Sequence, residues 1–338
     1  MFPILIIVLI ITFILSRFMD ILPVIRSVGF NLDPEELRRL IELEKQRMGY
    51  DLPLMQQLGI YLMNFFTGNW GNSYTVMKDT PVIEFIMSIF PKTIELMIIP
   101  IIIVPIIAVK LGVVSAKNKD NSKDTIIRFV AILGAGFPIF FIGNIVQTFV
   151  GRILYFFTYG EFDMDIMWSN AIGLDMRGRY YTGFRLIDSI LNNDQLFLMD
   201  SLLHLILPTV CISIVSLAGI TRLTRSTMLD VLDQDFIRTA RAKGVPEEEV
   251  INRHALRNAL IPTSNLIVGG TASAILGSLF IETVFDYLGF GYYFVRSVFL
   301  ADYLLINGML VFSSIIIIAG TLIADVLYTI IDPRIVYT

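Results

Sequence analysis

Cysteine, histidine and charged residues are scarce in this chain. Its 338 residues include one cysteine and two histidines, and 17% are charged, whereas about 25% is usual for soluble domains. The single Cys211 excludes a disulfide within the chain. His204 and His254 are too few and too far apart for a histidine-based centre, so we expect no metal site. The net charge of −4 argues against nucleic acid as a partner.

The phosphate-binding motif of P-loop proteins is also missing. No Gly-x-x-x-x-Gly-Lys-Ser/Thr sequence occurs in the chain, and this motif supplies the backbone amides that hold phosphates in such proteins. We therefore expect no nucleotide cofactor to be bound by this chain. If ATP drives it, another polypeptide must bind the nucleotide.

Long hydrophobic runs, in contrast, are abundant. Hydrophobic residues make up 55% of the chain, and a membrane-spanning helix needs about 20 of them in succession. Six segments qualify, at 2–19, 92–115, 129–157, 203–221, 263–285 and 303–331. The first lacks a basic region before it and a signal cleavage site, so we interpret it as a retained span. The prediction is an all-α membrane protein with six spans.

Basic residues in the short loops predict the orientation in the membrane, because they favour the cytoplasmic side. The loop after the second span carries Lys117, Lys119, Lys123 and nearby Arg128. The central loop, 222–261, carries Arg222, Arg225, Arg238, Arg241, Lys243, Arg253 and Arg257. Segments 20–91 and 158–202 are then the outer loops, and both termini are predicted to be cytoplasmic.

The central loop has the pattern of two short helices that meet at an angle. Gly244 permits the positive φ of a sharp bend, and small Ala240 and Ala242 near it allow a close approach by another backbone. Pro246 suits the first position of a second helix, and three glutamates, 247–249, suit its positive N-terminal end. Such a helix could lie in the groove of a partner protein. On these grounds alone, a solvated loop with well-capped helices explains the pattern equally well.

Several longer motifs go beyond these local patterns. They are GNWGNSY (68–74), TPVIEFIMSIFPKTIEL (80–96), GFPIFFIG (136–143), DQDFIRTARAKG (233–244), HALRNALIP (254–262), ETVFDYLGFG (282–291) and DPRI (332–335). Together they resemble the dipeptide, oligopeptide and nickel permease family of binding-protein-dependent ABC importers. The central loop resembles the EAA loop of these permeases, and its HALRN sequence is similar to the B-type, or first, permease of the pair.

The resemblance implies a type I importer fold, with the whole chain, 1–338, as a single permease domain. It implies a second homologous permease, two cytoplasmic ATPases that bind ATP and Mg²⁺, and an extracytoplasmic substrate-binding protein as partners in the cell's inner membrane. The expected ATPase-coupling residues are Arg238, Thr239, Ala240, Arg241, Gly244, Pro246, Glu247, Glu248, His254 and Arg257. Gly244 would be the hinge of this loop.

The route and identity of the substrate are less well defined by the sequence. Asn144 and Gln147 lie at mid-depth in the third span and could line the path, although hydrogen bonding between helices explains them equally well. Peptides are the expected substrates, with nickel or oligosaccharides as alternatives. Two alternatives from other functional classes are an ion-coupled secondary transporter and an intramembrane hydrolase. They would need buried ionisable or catalytic groups that the middle thirds of the spans almost entirely lack.

Overall fold

The computed structural model describes residues 2–18, 51–157 and 178–331, with a few isolated helical positions between 35 and 46. Residues 158–177 of the second outer segment and the DPRI motif lie outside this part of the chain. The described part is predominantly helical, as the sequence predicts. Strands β1 (Asn72–Ser73) and β2 (Thr80–Pro81) form an antiparallel pair.

The helices follow one another with short connections. Those of the first half are α1 (Phe2–Phe18), α2 (Leu54–Phe66), α3 (Val82–Lys117), α4 (Ser122–Gly136), α5 (Ile139–Phe157) and α6 (Arg185–Leu191). Those of the second half are α7 (Gln195–Leu232), α8 (Asp235–Ala242), α9 (Glu247–Glu249), a π-helical segment (Val250–Ala255), α10 (Leu256–Gly277), α11 (Leu279–Val284), α12 (Phe290–Phe299) and α13 (Tyr303–Ile331).

The described residues divide into two compact units. The first consists of those within Met1–Pro91 and Leu288–Ala319, and the second of those within Lys92–Tyr287 and Gly320–Thr338. The central loop lies in the second unit. Each unit has its own buried residues.

A buried carboxylate organises the first unit around β1. Asp302 is fully buried, and its Oδ2 accepts a hydrogen bond from the Ser73 hydroxyl at 2.6 Å. The same oxygen accepts the backbone N–H groups of Tyr74, Thr75 and Val76 at 3.2, 3.0 and 3.1 Å. A buried charge needs such donors because it has lost its water. The GNWGNSY segment is thereby fixed to the residue that precedes α13.

Apolar residues from α3, α7 and α11 form the main core of the second unit. Leu96, Leu205, Ile281 and Phe285 are among its buried members, and residues of α5 pack against them. Gly143 of α5 lets this helix approach closely, since a Cβ there would lie 3.1 Å from the side chain of Ile281. The sole cysteine, Cys211, is fully buried in the same cluster.

In the described part of the chain, three helices are long and apolar enough to cross a membrane: Val82–Lys117, Gln195–Leu232 and Tyr303–Val326. A fourth candidate is the pair Ser122–Gly136 and Ile139–Val150, which is bent by 105°. The apolar α1 is shorter. The protein is therefore a multi-pass helical membrane protein, and its total of six spans stays a prediction.

Two of the predicted spans are divided in the structure. Segment 129–157 is broken at Phe137 and Pro138, where Phe137 is extended with ψ of 142°, because proline disfavours a helical residue before it. Segment 263–285 contains the end of α10 and then the short α11. Conversely, α3 begins ten residues before predicted residue 92, and α7 extends beyond 203–221 at both ends. Hydropathy detects the apolar part of a helix rather than its ends.

Candidate functional site

The central loop folds into a bent, helical projection at the end of α7. We call residues 235–255 the elbow, which consists of α8, a four-residue turn, α9 and the π-helical segment. The chain then continues without interruption into α10. The elbow thus connects two long helices that both belong to the second unit.

Gly244 forms the bend, as the sequence predicts. Its φ is +75°, in the left-handed region that favours glycine. The N–H of Gly244 donates to the carbonyl of Arg241 at 3.0 Å, and the N–H of Val245 donates to that of Ala240 at 3.3 Å. This pair of bonds is the Schellman arrangement, which satisfies carbonyls at the end of a helix. The helix α8 therefore ends here for a local reason.

The second arm of the elbow differs from the prediction in two details. Pro246 is the N-cap of α9 rather than its first helical residue, and its carbonyl accepts the N–H groups of Glu249 and Val250 at 2.9 and 3.0 Å. The arm then adopts a π-helix over Val250–Ala255. The sequence gave no signal for this wider turn, although π-helical segments are frequent at functional sites.

A compact apolar core holds the two arms of the elbow together. Its fully buried members include Ile237 of α8, Val250 and Ala255 of the second arm, and Met228 of α7. Ala240, expected on the exterior surface, is 9% exposed and packs into this core. Its small size therefore serves packing within the chain, whereas Ala242 at the bend is exposed.

Charged side chains cover the outside of the elbow. Arg241 bridges the bend with two parallel hydrogen bonds to Glu247, from Nε at 3.0 Å and from Nη2 at 2.7 Å. These bonds hold the pKa of Glu247 below its usual range. Arg253 and Glu249 pair at 2.8 Å one turn apart on the second arm. The surface therefore offers alternating positive and negative groups rather than one charge sign.

The structure brings the predicted coupling residues together in and just beyond the elbow. Seven of them are exposed: Arg238, Thr239, Arg241, Gly244, Pro246, Glu247 and Glu248. His254 is half-buried on the π-helical segment, and Arg257 is exposed on the first turn of α10. Phe236, which the sequence reasoning did not select, is 44% exposed on α8 and adds an apolar group to the surface.

Asn144 and Gln147, the predicted path residues, lie on α5. Asn144 is exposed and donates from Nδ2 to the carbonyl of Phe140 at 3.0 Å, while Gln147 is half-buried. Neither lines the cavity of about 230 Å³ that the structure contains among α3, α7 and α10. That cavity is lined mainly by apolar and small residues, among them Pro100, Val104, Pro105, Gly219, Ile220 and Gly270.

No group of three or more His, Cys, Asp or Glu side chains is placed to hold a metal ion in residues 2–18, 51–157 and 178–331.

The sequence reasoning missed one buried ion pair near the elbow, Asp124 with Arg225. Arg225 was considered only as a basic loop residue. A charged pair between residues so far apart in the chain has no periodic signal in a single sequence.

Comparison with known proteins gives consistent matches over most of the chain. Residues 108–337 match the family described as the binding-protein-dependent transport system inner membrane component. An oligopeptide transport system permease protein, AppB, of Bacillus subtilis is 36% identical over 306 residues, which are 90% of this chain and 88% of the relative.

Two further relatives have similar names and coverage. A dipeptide transport system permease protein, DppB, of Alkalihalophilus pseudofirmus is 33% identical over 339 residues, which cover 99% of this chain and 96% of the relative. A probable D,D-dipeptide transport system permease protein, DdpB, of Escherichia coli is 32% identical over 297 residues, with coverage of 88% and 84%.

Proposed function

This chain belongs to the binding-protein-dependent transport system inner membrane component family, and from that premise we propose that it is a permease subunit of an ATP-driven peptide importer. The relatives are named for oligopeptide and dipeptide transport. The structural observation that supports the proposal is the elbow, a bent segment with a packed apolar core and a charged surface between two long helices. It has the size and surface of an element that docks onto another protein.

We propose six membrane spans, with the elbow and both termini in the cytoplasm. The basic residues of segments 116–128 and 222–261 support this orientation. The bent pair α4 and α5 would then form the third span, and α10 with α11 the fifth. Segments 20–91 and 158–202 would face outward, toward a substrate-binding protein.

The proposed partners are a second, homologous permease and two cytoplasmic ATPases. Each ATPase would hold the elbow of one permease in a surface groove, and the ATPases would bind ATP and Mg²⁺. Closure of the ATPases on ATP would move the elbows and open the membrane path to the outside. The free energy for that change must come from contacts that differ between the two states of the ATPases. The role of this chain is mechanical and not catalytic.

The proposed contact surface with the ATPase consists of Phe236, Arg238, Arg241, Glu247 and Glu248. Charged groups of both signs give the contact a defined register, since wrongly placed like charges repel. Phe236 supplies the apolar contact that a short docked helix needs.

We propose that Asn144 and Gln147 take part in the substrate path from the exposed side of α5. Asn144 is exposed in the single subunit, which is consistent with a surface that meets the path in the complete permease pair. Replacement of both residues by leucine, which has a similar size, should lower peptide uptake without lowering the amount of assembled complex. Unchanged uptake would remove both residues from the path.

Two engineered cysteines test the docking and the orientation together. The native Cys211 is fully buried, which favours selective labelling of introduced thiols. Glu248→Cys should crosslink to an ATPase subunit and resist a membrane-impermeant maleimide added to whole cells. The matched control is Tyr181→Cys, which is 62% exposed in the proposed outer segment. It should react with the reagent and give no ATPase crosslink.

Labelling of Glu248→Cys from outside would overturn the orientation, and absence of any ATPase crosslink would overturn the docking.

The substrate is tested separately with the reconstituted complex. Uptake of radiolabelled di- and oligopeptides should depend on ATP and on the binding protein. Uptake of nickel or oligosaccharides in place of peptides would leave the assignment as a permease intact and would change the proposed substrate.

A further inference from the structure

The helices α3 and α7 approach each other closely at Gly112. A Cβ added at Gly112 of α3 would lie 2.5 Å from the Cβ of Thr224 and 3.0 Å from the carbonyl oxygen of Thr221. The Thr221 hydroxyl donates to the carbonyl of Ala108 at 3.2 Å. A side chain at this position would clash with Thr224, so only glycine permits this approach of α3 to α7, about three turns before the elbow.

One residue beyond this close approach, Arg225 holds the carboxylate of Asp124. Its Nε donates to Oδ1 at 2.7 Å, and its Nη2 donates to Oδ2 at 2.8 Å. Asp124 is fully buried in the first turn of α4, and the side chain of Arg225 is 17% exposed. Two parallel bonds between a guanidinium and a carboxylate fix both the distance and the relative orientation of the partners.

The same carboxylate is also tied to α3 and to the turn after it. The Ser115 hydroxyl donates to Oδ1, and the N–H of Asp120 donates to Oδ2 at 3.0 Å. Asp120 has a φ of +63°, so the turn between α3 and α4 is sharply bent at this point. Arg128 approaches Oδ2 to 3.6 Å from the next turn of α4 and is 44% exposed. Asp124 therefore joins α3, α4 and α7 through a single side chain.

The elbow is connected to this junction by direct packing. Ala116, which follows Ser115 on α3, belongs to the buried core of the elbow. Met228 of α7, one turn after Arg225, is fully buried in the same core. The ion pair and the apolar core are thus neighbouring parts of one packed region, all within the second unit.

We propose that Asp124 and Arg225 act as a strap, which makes the elbow, the end of α3 and the start of α4 move as one rigid body during the transport cycle. This inference rests on the proposed function, because the movement comes from an ATPase that holds the elbow. Arg225 and Asp124 are positioning residues: they touch neither nucleotide nor substrate. Without the strap, only the apolar packing would join the elbow to its neighbours, and less of its displacement would reach α3 and α4.

The test compares Arg225→Gln with the matched control Arg222→Gln in the reconstituted full complex. Both changes remove one arginine from α7, but Arg222 is exposed and three residues away from the strap. Arg225→Gln should lower the number of peptides taken up per ATP hydrolysed by about fivefold or more. Basal ATP hydrolysis and complex assembly should change little. Arg225→Lys, which keeps the charge but not the paired bonds, should be intermediate.

A distance measurement tests the rigid body independently of these variants. Spin labels would be attached at Ser122→Cys on α4 and at Asn252→Cys on the elbow. Both positions are exposed. Their separation should stay constant between the nucleotide-free and the ATP-bound complex, and should change with nucleotide once Arg225→Gln is added. This measurement in the complex with an intact strap remains decisive even if the Arg225 variants fail to assemble.

Two outcomes overturn the strap alone: a label separation that changes with ATP while the strap is intact, or peptide uptake per ATP that is the same in Arg225→Gln and Arg222→Gln. If the wild-type complex shows no ATP-dependent uptake at all, the proposed function and the strap both fail. The expected pattern, a constant separation and a selective loss of coupling in Arg225→Gln, supports the strap.

Discussion

Gly244 is the residue at which the elbow changes direction, and its left-handed backbone is the reason that glycine occupies this position. A Cβ at this residue would meet no atom within 4 Å. The cost of a larger side chain is therefore conformational and not steric. For an ordinary L-residue in this region the cost is about 1–2 kcal/mol.

The first prediction concerns a series at this position. Gly244→Val should abolish transport-coupled ATP hydrolysis while membrane insertion stays intact, because a β-branched residue strongly disfavours positive φ. Gly244→Asn should retain most of the activity, since asparagine tolerates this conformation. Hydrolysis and uptake in proteoliposomes measure both effects. Wild-type uptake by the valine variant would show that the bend at Gly244 is not needed for coupling.

The second prediction concerns the pair of Arg241 and Glu247 across the bend. Because the folded-state pKa of Glu247 is lowered, the pair stabilises the elbow above the unfolded pKa, and this contribution is lost as the pH falls through the folded pKa. Both side chains are about half exposed, so the expected coupling energy is below about 1 kcal/mol.

A double-mutant cycle with Arg241→Gln and Glu247→Gln in thermal unfolding measures this energy at neutral and at acidic pH. Arg253→Gln with Glu249→Gln gives a comparison pair within one helical arm. A coupling energy that grows on acidification would contradict the assignment of the pKa shift to this contact.

At the residue scale, the sequence predicted the bend because glycine and proline have strong local preferences. It did not predict that Ala240 would be buried, since alanine occurs readily both inside and outside a protein. It also did not identify Asp124, because the partner of this residue lies about one hundred positions away. Local signals reveal backbone geometry, and pairings between distant residues need the structure.

The elements of the elbow are stabilised by the apolar core beneath them rather than by helix propensity. The helix α8 has only eight residues, and isolated helices of that length are marginal in water.

The third prediction compares two adjacent residues of α8. Ile237→Ala removes a fully buried side chain and should destabilise the elbow by about 2–5 kcal/mol. Phe236→Ala removes a 44% exposed side chain and should leave the fold intact.

The two variants should affect different properties, the stability of the elbow and its binding to the ATPase. Ile237→Ala should increase proteolytic cleavage at the elbow, whereas Phe236→Ala should weaken ATPase binding with a normal cleavage pattern. Quantitative pull-down and limited proteolysis of the purified complex separate these effects. Equal ATPase affinity in Phe236→Ala and the wild type would exclude Phe236 from the docking surface.

At the element scale, hydropathy located the apolar centres of α3, α7 and α13, which contain long and mainly apolar segments. It could not locate the ends of α3 and α7, because both helices continue into more polar surroundings. The division at Pro138 had a signal in the residue type, but a single apolar run concealed it. The π-helical segment had no signal, since its side chains suit an α-helix equally well.

The whole molecule is proposed to work only as part of a complex, and the fourth prediction follows from this. The purified chain alone should hydrolyse no ATP, whereas an affinity-tagged chain isolated from its native membrane should retain nucleotide-hydrolysing proteins. Chelation of Mg²⁺ should stop ATP-driven uptake by that complex. Isolation of intact complexes without any such protein would contradict the proposed coupling.

At this scale, the long motifs predicted the family, and the comparisons confirm it over most of the chain. The division into two units was not predicted, because the first unit combines residues from both ends of the sequence. Asp302 illustrates the reason. It binds a segment that lies more than two hundred positions earlier, and neither segment has a sequence pattern that points to the other.

The length of α7 has a mechanical consequence. Its 38 residues extend over about 57 Å, nearly twice the thickness of the hydrocarbon layer, about 30 Å. In the proposed orientation, such a helix extends beyond the hydrocarbon layer and can pivot within it. A tilt of about 15°, the size of the subunit rotation in haemoglobin, would carry one tip about 15 Å relative to the other. In that orientation, a small rotation imposed at the elbow would produce a large displacement at the outer end of the helix.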